Sequence, residues 1–431
     1  MNDGACRVGK RQRCPPVTGR TGLFASPNLH SRRVWNQHHV SVKKPGLMKI
    51  GFDISQTGSG KAGCGYFADS VIQQLAEIDF ENEYLLYPTF GNFFWDPAWR
   101  KSTRRIDRPN FRRAQGHRTR EEAQSFWANP PEGLEAYLGG PQIFHSNNFF
   151  CPSSLKSALL VYTLYDLSFL EYPDLHTEPN RLGCFKGVFN ASLYADMVIS
   201  ISEYSRRHFL EIFPHFPPDR IRVAHLASRF SHEPNLARPS SLASLNPDEF
   251  WLNVGTVEPR KNQFRLLKAY ARLKAASRKT YPLVMAGGRG WLMEDIGKIV
   301  GDLGLAEDVV MTGYIDDLAL RWLYQNCYAM VYPSLFEGFG LPVLEAMSLG
   351  APVISSNVTS MPEIAGDAAL LVNPLDDGDI SSAMLNLARD SGLRASLIER
   401  GKERAKAFTW ENAARIILEC YRSLTRRLPC A

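Results

Sequence analysis

Two glutamates, Glu337 and Glu345, stand eight positions apart around the turn Gly338-Phe339-Gly340-Leu341, and an adjacent pair of cations, Arg260 and Lys261, follows Gly255 and Thr256. Ionised carboxylates accept hydrogen bonds from hydroxyl groups. A guanidinium forks onto phosphate oxygens, and an ammonium serves beside them as a point charge. Backbone N–H groups at a helix start also attract anions. A ligand with both hydroxyls and phosphates, a nucleotide-sugar, suits this set. Side by side at a helix start, Arg260 and Lys261 are electrostatically out of place unless an anion lies between them.

Other positions are ambiguous. Asp166, in Tyr165-Asp166-Leu167, follows an apolar run and could meet a ligand or simply cap a turn. Gly63 and Gly65 close the stretch Gly58 to Gly65, which could bring backbone onto an anion or form a tight structural turn. That stretch is not a P-loop, because Ser55 and Ala62 stand where glycine and Ser/Thr are required. The tract from Arg100 to Arg120 holds nine Lys/Arg and one acid, with Trp95, Trp99 and Phe111 nearby. A solvated loop or an anionic contact would explain it, whereas nucleic acid would call for a stacking motif or recognition helix that is missing.

These residues need strand ends to carry them. From Lys49 onward, short apolar runs alternate with helical stretches, as in βαβ units of a parallel sheet. Strands are expected at Lys49–Ile54, Glu83–Tyr87, Gln142–His145, Leu159–Leu164 and Met197–Ile201, with Asp96 to Glu122 irregular. The Pro-, Ser- and Asn-rich run from Glu233 to Asp248 reads as a linker. A second series follows, with strands near Phe250–Gly255, Pro282–Ala286, Val309–Thr312, Ala329–Tyr332, Pro352–Ser355 and Ala369–Val372. Its helices include Lys261–Ala276, Trp291–Leu303 and Pro342–Leu349. In an open α/β sheet the loops after the strands face the ligand crevice, which is where Glu337, Arg260, Lys261 and Asp166 fall. The expected fold is α/β, two doubly wound Rossmann-like domains at 48–240 and 249–410 facing a central cleft. A closing helix at about 411–426 could pack back on the first domain.

The 431 residues suit two domains, and the composition is 44% apolar and 22% charged. No apolar run is long enough to span a bilayer. Eight scattered cysteines show neither a C-x-x-C pair nor zinc-type spacing, so reduced thiols in a cytoplasmic setting are expected. Residues 1–47 carry nine Lys/Arg against Asp3 alone, whereas the other 384 residues carry 41 basic and 43 acidic side chains, so the formal charge of +6 sits in the head. That head, without helix or strand period, reads as a disordered basic extension.

The segments Asn253–Asn262 (NVGTVEPRKN), Leu283–Gly288 (LVMAGG), Thr312–Tyr314, Tyr332–Ala346 (YPSLFEGFGLPVLEA), Gly350–Ser355 (GAPVIS), Pro362–Ile364 and Gly366–Pro374 (GDAALLVNP) together resemble the retaining glycosyltransferases of family 4, with GT-B architecture. The likeness runs through the second domain and more weakly through residues 48 to 232. It implies that Glu345 holds ribose hydroxyls, that Glu337 faces the donor sugar, and that Phe339 to Leu341 contact sugar and phosphate. Arg260 and Lys261 would neutralise the departing diphosphate, with Gly255 and Thr256 beside it, and Gly63 and Gly65 would bring the first domain's helix start onto the same group. Asp166 matches the aspartate of the family's His-Asp pair near the reacting sugar, but Tyr165 stands at the histidine position. The resemblance implies no cofactor and no metal, GDP-mannose as the favoured donor, and a glycan or lipid-linked acceptor in polysaccharide biosynthesis. It places such an enzyme in the cytoplasm, with at most peripheral contact at the inner membrane face and no nucleic-acid partner. A UDP-sugar-dependent transferase, or a nucleotide-sugar-binding protein without transferase activity, would be the alternatives.

Overall fold

The computed structural model describes residues 47–61, 63–91, 102–114, 116, 118–234, 236–277, 280–290 and 296–426. The basic extension, apart from Leu47, and the tryptophans at 95 and 99 lie outside those residues. Among the described residues, the first lobe holds seven strands: β1 (Lys49–Asp53), β2 (Glu83–Tyr87), β3 (Phe111–Arg113), β4 (Ile143–Ser146), β5 (Leu159–Leu164), β6 (Met197–Ser200) and β7 (Ile221–Val223). They form one sheet in the order β3-β2-β1-β4-β5-β6-β7, with every pairing parallel. The second lobe holds β8 (Trp251–Val254), β9 (Leu283–Ala286), β10 (Val309–Gly313), β11 (Ala329–Tyr332), β12 (Val353–Ser356) and β13 (Leu370–Val372), in the order β10-β9-β8-β11-β12-β13 and again all parallel.

Helices cover the sheets, so central strands are buried on both faces and read as continuous apolar runs. All six residues of β5, Leu-Leu-Val-Tyr-Thr-Leu, are buried. In each sheet the strand order reverses beside the first strand, between β1 and β4 and between β8 and β11. The carboxyl ends there splay apart and leave a ligand crevice. The last helix, Trp410–Thr425, packs on the first lobe's helix Gly63–Ile78. Its Tyr421 hydroxyl meets His145 Nδ1 at 2.5 Å.

The structure departs from the sequence expectations at the sheet edges and helix starts. The stretch Asp96 to Glu122 is not wholly irregular. It contains β3, and the helix Arg120–Ala128 starts in it, behind a Thr119/Glu122 capping box. Strand β7 was also not anticipated; both edge strands are three residues long, too short for a period-2 pattern to register. The helix expected from Lys261 begins at Gln263, preceded by a separate 3₁₀ turn over Pro259–Lys261. Asn262 joins them with φ 62°, a left-handed conformation that asparagine tolerates. The helix expected from Trp291 is described only over Ile296–Asp302.

Candidate active site

At the reversal point of the second sheet, the loops after β8 and β11 converge. Asn253 Nδ2 donates to the Val331 carbonyl at 2.8 Å and clips the two strands together. Asn262 Nδ2 donates to the carbonyls of Pro333 and Pro374 at 2.9 and 2.7 Å, fixing the turn that carries Arg260 and Lys261. Lys261 Nζ then reaches Glu337 Oε1 at 2.7 Å and the Tyr332 hydroxyl at 2.6 Å. The same Oε1 accepts from Ser334 Oγ at 2.6 Å. Arg260 lies 3.1 Å from Glu337 Oε2 and donates to Glu258 Oε1 and the Phe336 carbonyl, both at 2.7 Å. The anion that excuses two adjacent cations is therefore part of the protein: Glu337 and Glu258.

Burial alone would raise the Glu337 carboxyl, but Lys261 and Arg260 outweigh it and hold the group down at about 2. Arg260 is pushed the other way: burial lowers it, and the carboxylates of Glu337 and Glu258 more than reverse that. Glu337 and Arg260 are thus both ionised at neutral pH, and shared hydrogen bonds fix the cluster. An ammonium has three N–H groups, and Glu337 and Tyr332 engage two of those on Lys261 among the described residues. One N–H is left for a ligand.

The turn between the glutamates is shaped by contact. Gly338 lies against the first lobe: a Cβ there would stand 2.3 Å from the Tyr165 carbonyl oxygen and 2.8 Å from Asp166 Cβ. Ser205 Oγ spans the same junction, 3.1 Å from the Tyr165 oxygen and 3.3 Å from the Gly338 oxygen. Phe339 is buried against His225 and Phe408. Gly340, with φ 98°, turns the chain into the helix Leu341–Ser348, whose second residue is Pro342. Gly255 (φ 144°) ends β8 and lies beside the aliphatic stem of Lys261, while Thr256 is exposed and its carbonyl accepts from Gln263.

Glu345, on that helix, is 1% exposed and faces an unexpected partner. Arg229, in the segment after β7, donates from Nε to Oε1 at 2.5 Å and from its NH2 group to Oε2 at 3.2 Å. Tyr324 OH donates to Oε2 at 3.2 Å. Burial raises the Glu345 carboxyl, and Arg229 only partly offsets this. The Arg229 guanidinium also covers the Tyr66 ring, 3.9 Å from its centroid, and bonds Asp317 at 3.1 Å. Glu345 is therefore linked to the start of the helix Gly63–Ile78 across the cleft.

In the first lobe, Asp166 Oδ1 accepts from the Ser168 amide and hydroxyl at 3.0 and 2.7 Å. Asp166 also stands close enough to Arg260 to raise its affinity for protons. Tyr165 does not face the cleft. Its hydroxyl donates to the carbonyls of Asn147 (2.8 Å) and Cys64 (3.2 Å), and its ring packs on Phe67 and Phe149. At the reversal point of this sheet, burial lifts the Asp53 carboxyl to about 7, despite hydrogen bonds from the Ser55 and Asn147 amides. Gly63 has open space where a Cβ would be, whereas a Cβ on Gly65 would meet the Gln56 carbonyl oxygen at 2.2 Å. Gly65 is thus explained by packing, and Gly63 leaves the helix start uncovered.

Other contacts across the cleft had no sequence signal. Glu363 accepts from the backbone amides of Glu203 (2.8 Å) and Tyr204 (3.0 Å) and contacts His225 Nε2 at 2.7 Å. A second-lobe side chain therefore caps the helix Glu203–Ile212 of the first, since unpaired amides at a helix start attract a carboxylate. Phe336 meets the rings of Tyr172, Tyr204 and His208. The pair Asp377-Gly378-Asp379, which could suggest a metal site, is occupied otherwise. Asp377 pairs with Arg272, and Asp379 accepts from the Asn373 amide. Among the described residues no cluster of three His, Cys, Asp or Glu side chains could hold a metal ion, and no helix is long and apolar enough to cross a membrane.

The family profile described as "Glycosyl transferases group 1" matches residues 238–404. Over 287 residues the chain is 36% identical to O-antigen chain mannosyltransferase B of Escherichia coli, covering 65% of this chain and 74% of that one. Over 180 residues it is 37% identical to the serotype-specific mannosyltransferase WbdA of Escherichia coli, covering 41% of this chain and only 22% of that much longer protein. Among solved structures, sucrose-phosphate synthase from Thermosynechococcus elongatus superposes with a TM-score of 0.66 at 21% identity, covering 88% of this chain and all of that one. That structure shares the two-lobed parallel α/β architecture.

Proposed function

The chain belongs to the group 1 glycosyltransferases, and from that premise we propose that it moves mannose from GDP-mannose onto a glycan or lipid-linked acceptor in polysaccharide assembly, with retention of anomeric configuration. The observation that carries this reading is the cluster of Lys261, Arg260 and Glu337 at the reversal point of one sheet, with Asp166 of the other lobe beside it. Breaking the bond between sugar and diphosphate puts negative charge on the phosphate and positive character on the anomeric carbon. Fixed charges that need no reorganisation stabilise both most effectively. Lys261, Arg260 and the uncovered helix start at Gly63 would serve the diphosphate. The ionised Glu337 would hold Lys261 in place and face the sugar, and Glu345 would take the ribose hydroxyls in exchange for Arg229. On the same face, the departing phosphate would take the proton of the acceptor hydroxyl. This scheme calls on no metal: Lys261 and Arg260 would supply fixed N–H donors to the leaving group.

The names of the two mannosyltransferase relatives favour mannose, and so GDP-mannose, over other hexoses. A lipid-linked acceptor, met by peripheral contact at the inner membrane face, has support from the helix Glu178–Tyr194. It exposes Leu182, Phe185, Phe189 and Leu193 along one face, with Arg181 and Lys186 at the edges of that stripe. A surface helix with apolar side chains between cations is the geometry of interfacial contact. Leu182 and Lys186 also line a cavity of about 470 Å³ shared with Phe149 and Asn180, a place for acceptor sugars beside the cleft.

A thermal-shift panel on the full chain with GDP, UDP, ADP, GDP-mannose and UDP-glucose tests the donor, since a ligand that binds the folded state alone raises Tm with its affinity. Shifts with GDP and GDP-mannose alone would support the reading. Shifts with the uridine compounds would keep the enzyme and replace the donor. A flat panel would contradict binding of these nucleotides by the folded chain.

A further inference from the structure

With Tyr165 turned into the core, the first lobe still brings an imidazole to the cleft. The chain after Asp166 runs through the short helix Ser168–Glu171 and a 3₁₀ turn, Pro173–Leu175, to His176. Tyr172 anchors this loop by its ring contact with Phe336, the residue before Glu337, with centroids 6.0 Å apart. His176 is thereby held close to Asp166, Arg260 and Glu258, all of which act on it electrostatically. Both ring nitrogens are shielded from solvent by protein, yet among the described residues neither has a hydrogen-bond partner of ordinary geometry. Asn180 makes only a loose side-chain contact with the ring. Buried polar nitrogens without partners are costly, and two on one ring call for an explanation.

We propose that His176 is a substrate-binding residue that hydrogen-bonds a hydroxyl group of the transferred hexose, its ring nitrogens being satisfied only when the nucleotide-sugar is bound. The inference rests on the transferase reading above and names a contact for its donor. Burial lowers the imidazole's affinity for protons, so the ring is neutral at pH 7. A neutral imidazole offers one N–H and one lone pair, the complement of a hydroxyl that both accepts and donates. Asp166 Oδ1 is taken up by Ser168, and Oδ2 carries no hydrogen bond among the described residues, so the acid and the imidazole together present a pair of groups suited to a sugar.

The test combines two variants with donor analogues, using the full chain and whichever nucleotide-hexose the wild type turns over. His176→Phe keeps a flat ring and removes the hydrogen bond, whereas His176→Asn keeps a donor and an acceptor. His176→Phe should reduce kcat/KM for the donor about ten- to hundredfold with Tm little changed, the scale of a lost hydrogen bond to a substrate hydroxyl. His176→Asn should recover part of that loss. A series of monodeoxy-hexose donors then identifies the contact. Wild type should discriminate strongly against the one lacking the bound hydroxyl, and His176→Phe should accept that donor and the intact one almost equally. The proposal is overturned if His176→Phe discriminates against every deoxy donor as wild type does, or if it only lowers Tm. Absence of turnover by wild type with any nucleotide-hexose would instead remove the transferase reading on which the proposal stands.

Discussion

Arg229 and Glu345 form a two-pronged ion pair across the cleft, with Nε on Oε1 and the NH2 group on Oε2. The carboxylate that the nucleotide's ribose would need is thus occupied by a guanidinium that also covers the ring of Tyr66. If Glu345 takes the ribose hydroxyls as proposed, they and Arg229 would compete for the same oxygens, and donor binding would release Arg229.

Glu345→Gln should weaken GDP binding about tenfold, because the neutral amide keeps the shape but accepts poorly from ribose hydroxyls. Isothermal titration with GDP measures this. Arg229→Ala leaves the Glu345 carboxylate buried with Tyr324 alone, and should cost about 3 kcal/mol of stability, the scale of breaking a buried pair from one side. Denaturant unfolding reads that loss.

Lys261→Ala should act on turnover more than on binding. With the ammonium gone, Glu337 keeps Arg260, Ser334 and Tyr332, so the loop stays anchored while the charge toward the diphosphate disappears. A fall in kcat of roughly 10²–10³-fold at saturating donor is expected, the range for losing one fixed donor aimed at developing charge. Wild-type kcat in this variant would contradict the role.

Gly338→Ala sets a Cβ against backbone rather than against a flexible side chain, 2.3 Å from the Tyr165 oxygen. The two lobes must then separate locally. A destabilisation of about 1–3 kcal/mol is expected. Because the same shift moves Glu337 away from Asp166, kcat should fall as well. Thermal unfolding and steady-state rates on one preparation check both.

Acid should reveal Glu337. Its folded-state value, about 2, lies below the ordinary carboxylate value, so its contribution to stability is present above that ordinary value and is lost as the pH falls toward about 2. Wild-type Tm should therefore drop more steeply than that of Glu337→Gln between about pH 4.5 and about pH 2.5. Parallel curves for the two proteins would show that the Lys261 and Arg260 pairing does not hold the carboxyl down.

Much of this arrangement is legible in the sequence, and the reasons are local. Asn253 to Lys261 and Tyr332 to Glu345 are each a buried strand running into a glycine-bearing loop, so the side chains after the strand end had to meet the crevice. What the sequence could not show depends on distant segments coming together. Arg229 lies 116 positions before the carboxylate it grips, in a stretch with no periodic pattern. Glu363 caps a helix that begins 160 positions earlier. The inward turn of Tyr165 is set by two backbone carbonyls, Asn147 and Cys64, whose positions follow from the sheet and not from neighbouring residue types. The buried, partnerless ring nitrogens of His176 emerge only once Tyr172 has docked on Phe336.

The most direct measurement is hexose transfer itself. The full chain is incubated with GDP-mannose and a mannose-terminated glycan, and both GDP release and the glycan product are followed, with Lys261→Ala alongside. The account predicts GDP release that depends on the glycan, a product longer by one mannose in the α configuration of the donor, and a rate roughly 10²–10³-fold lower in the variant. A β-linked product, or GDP release indifferent to both the glycan and Lys261, would contradict it.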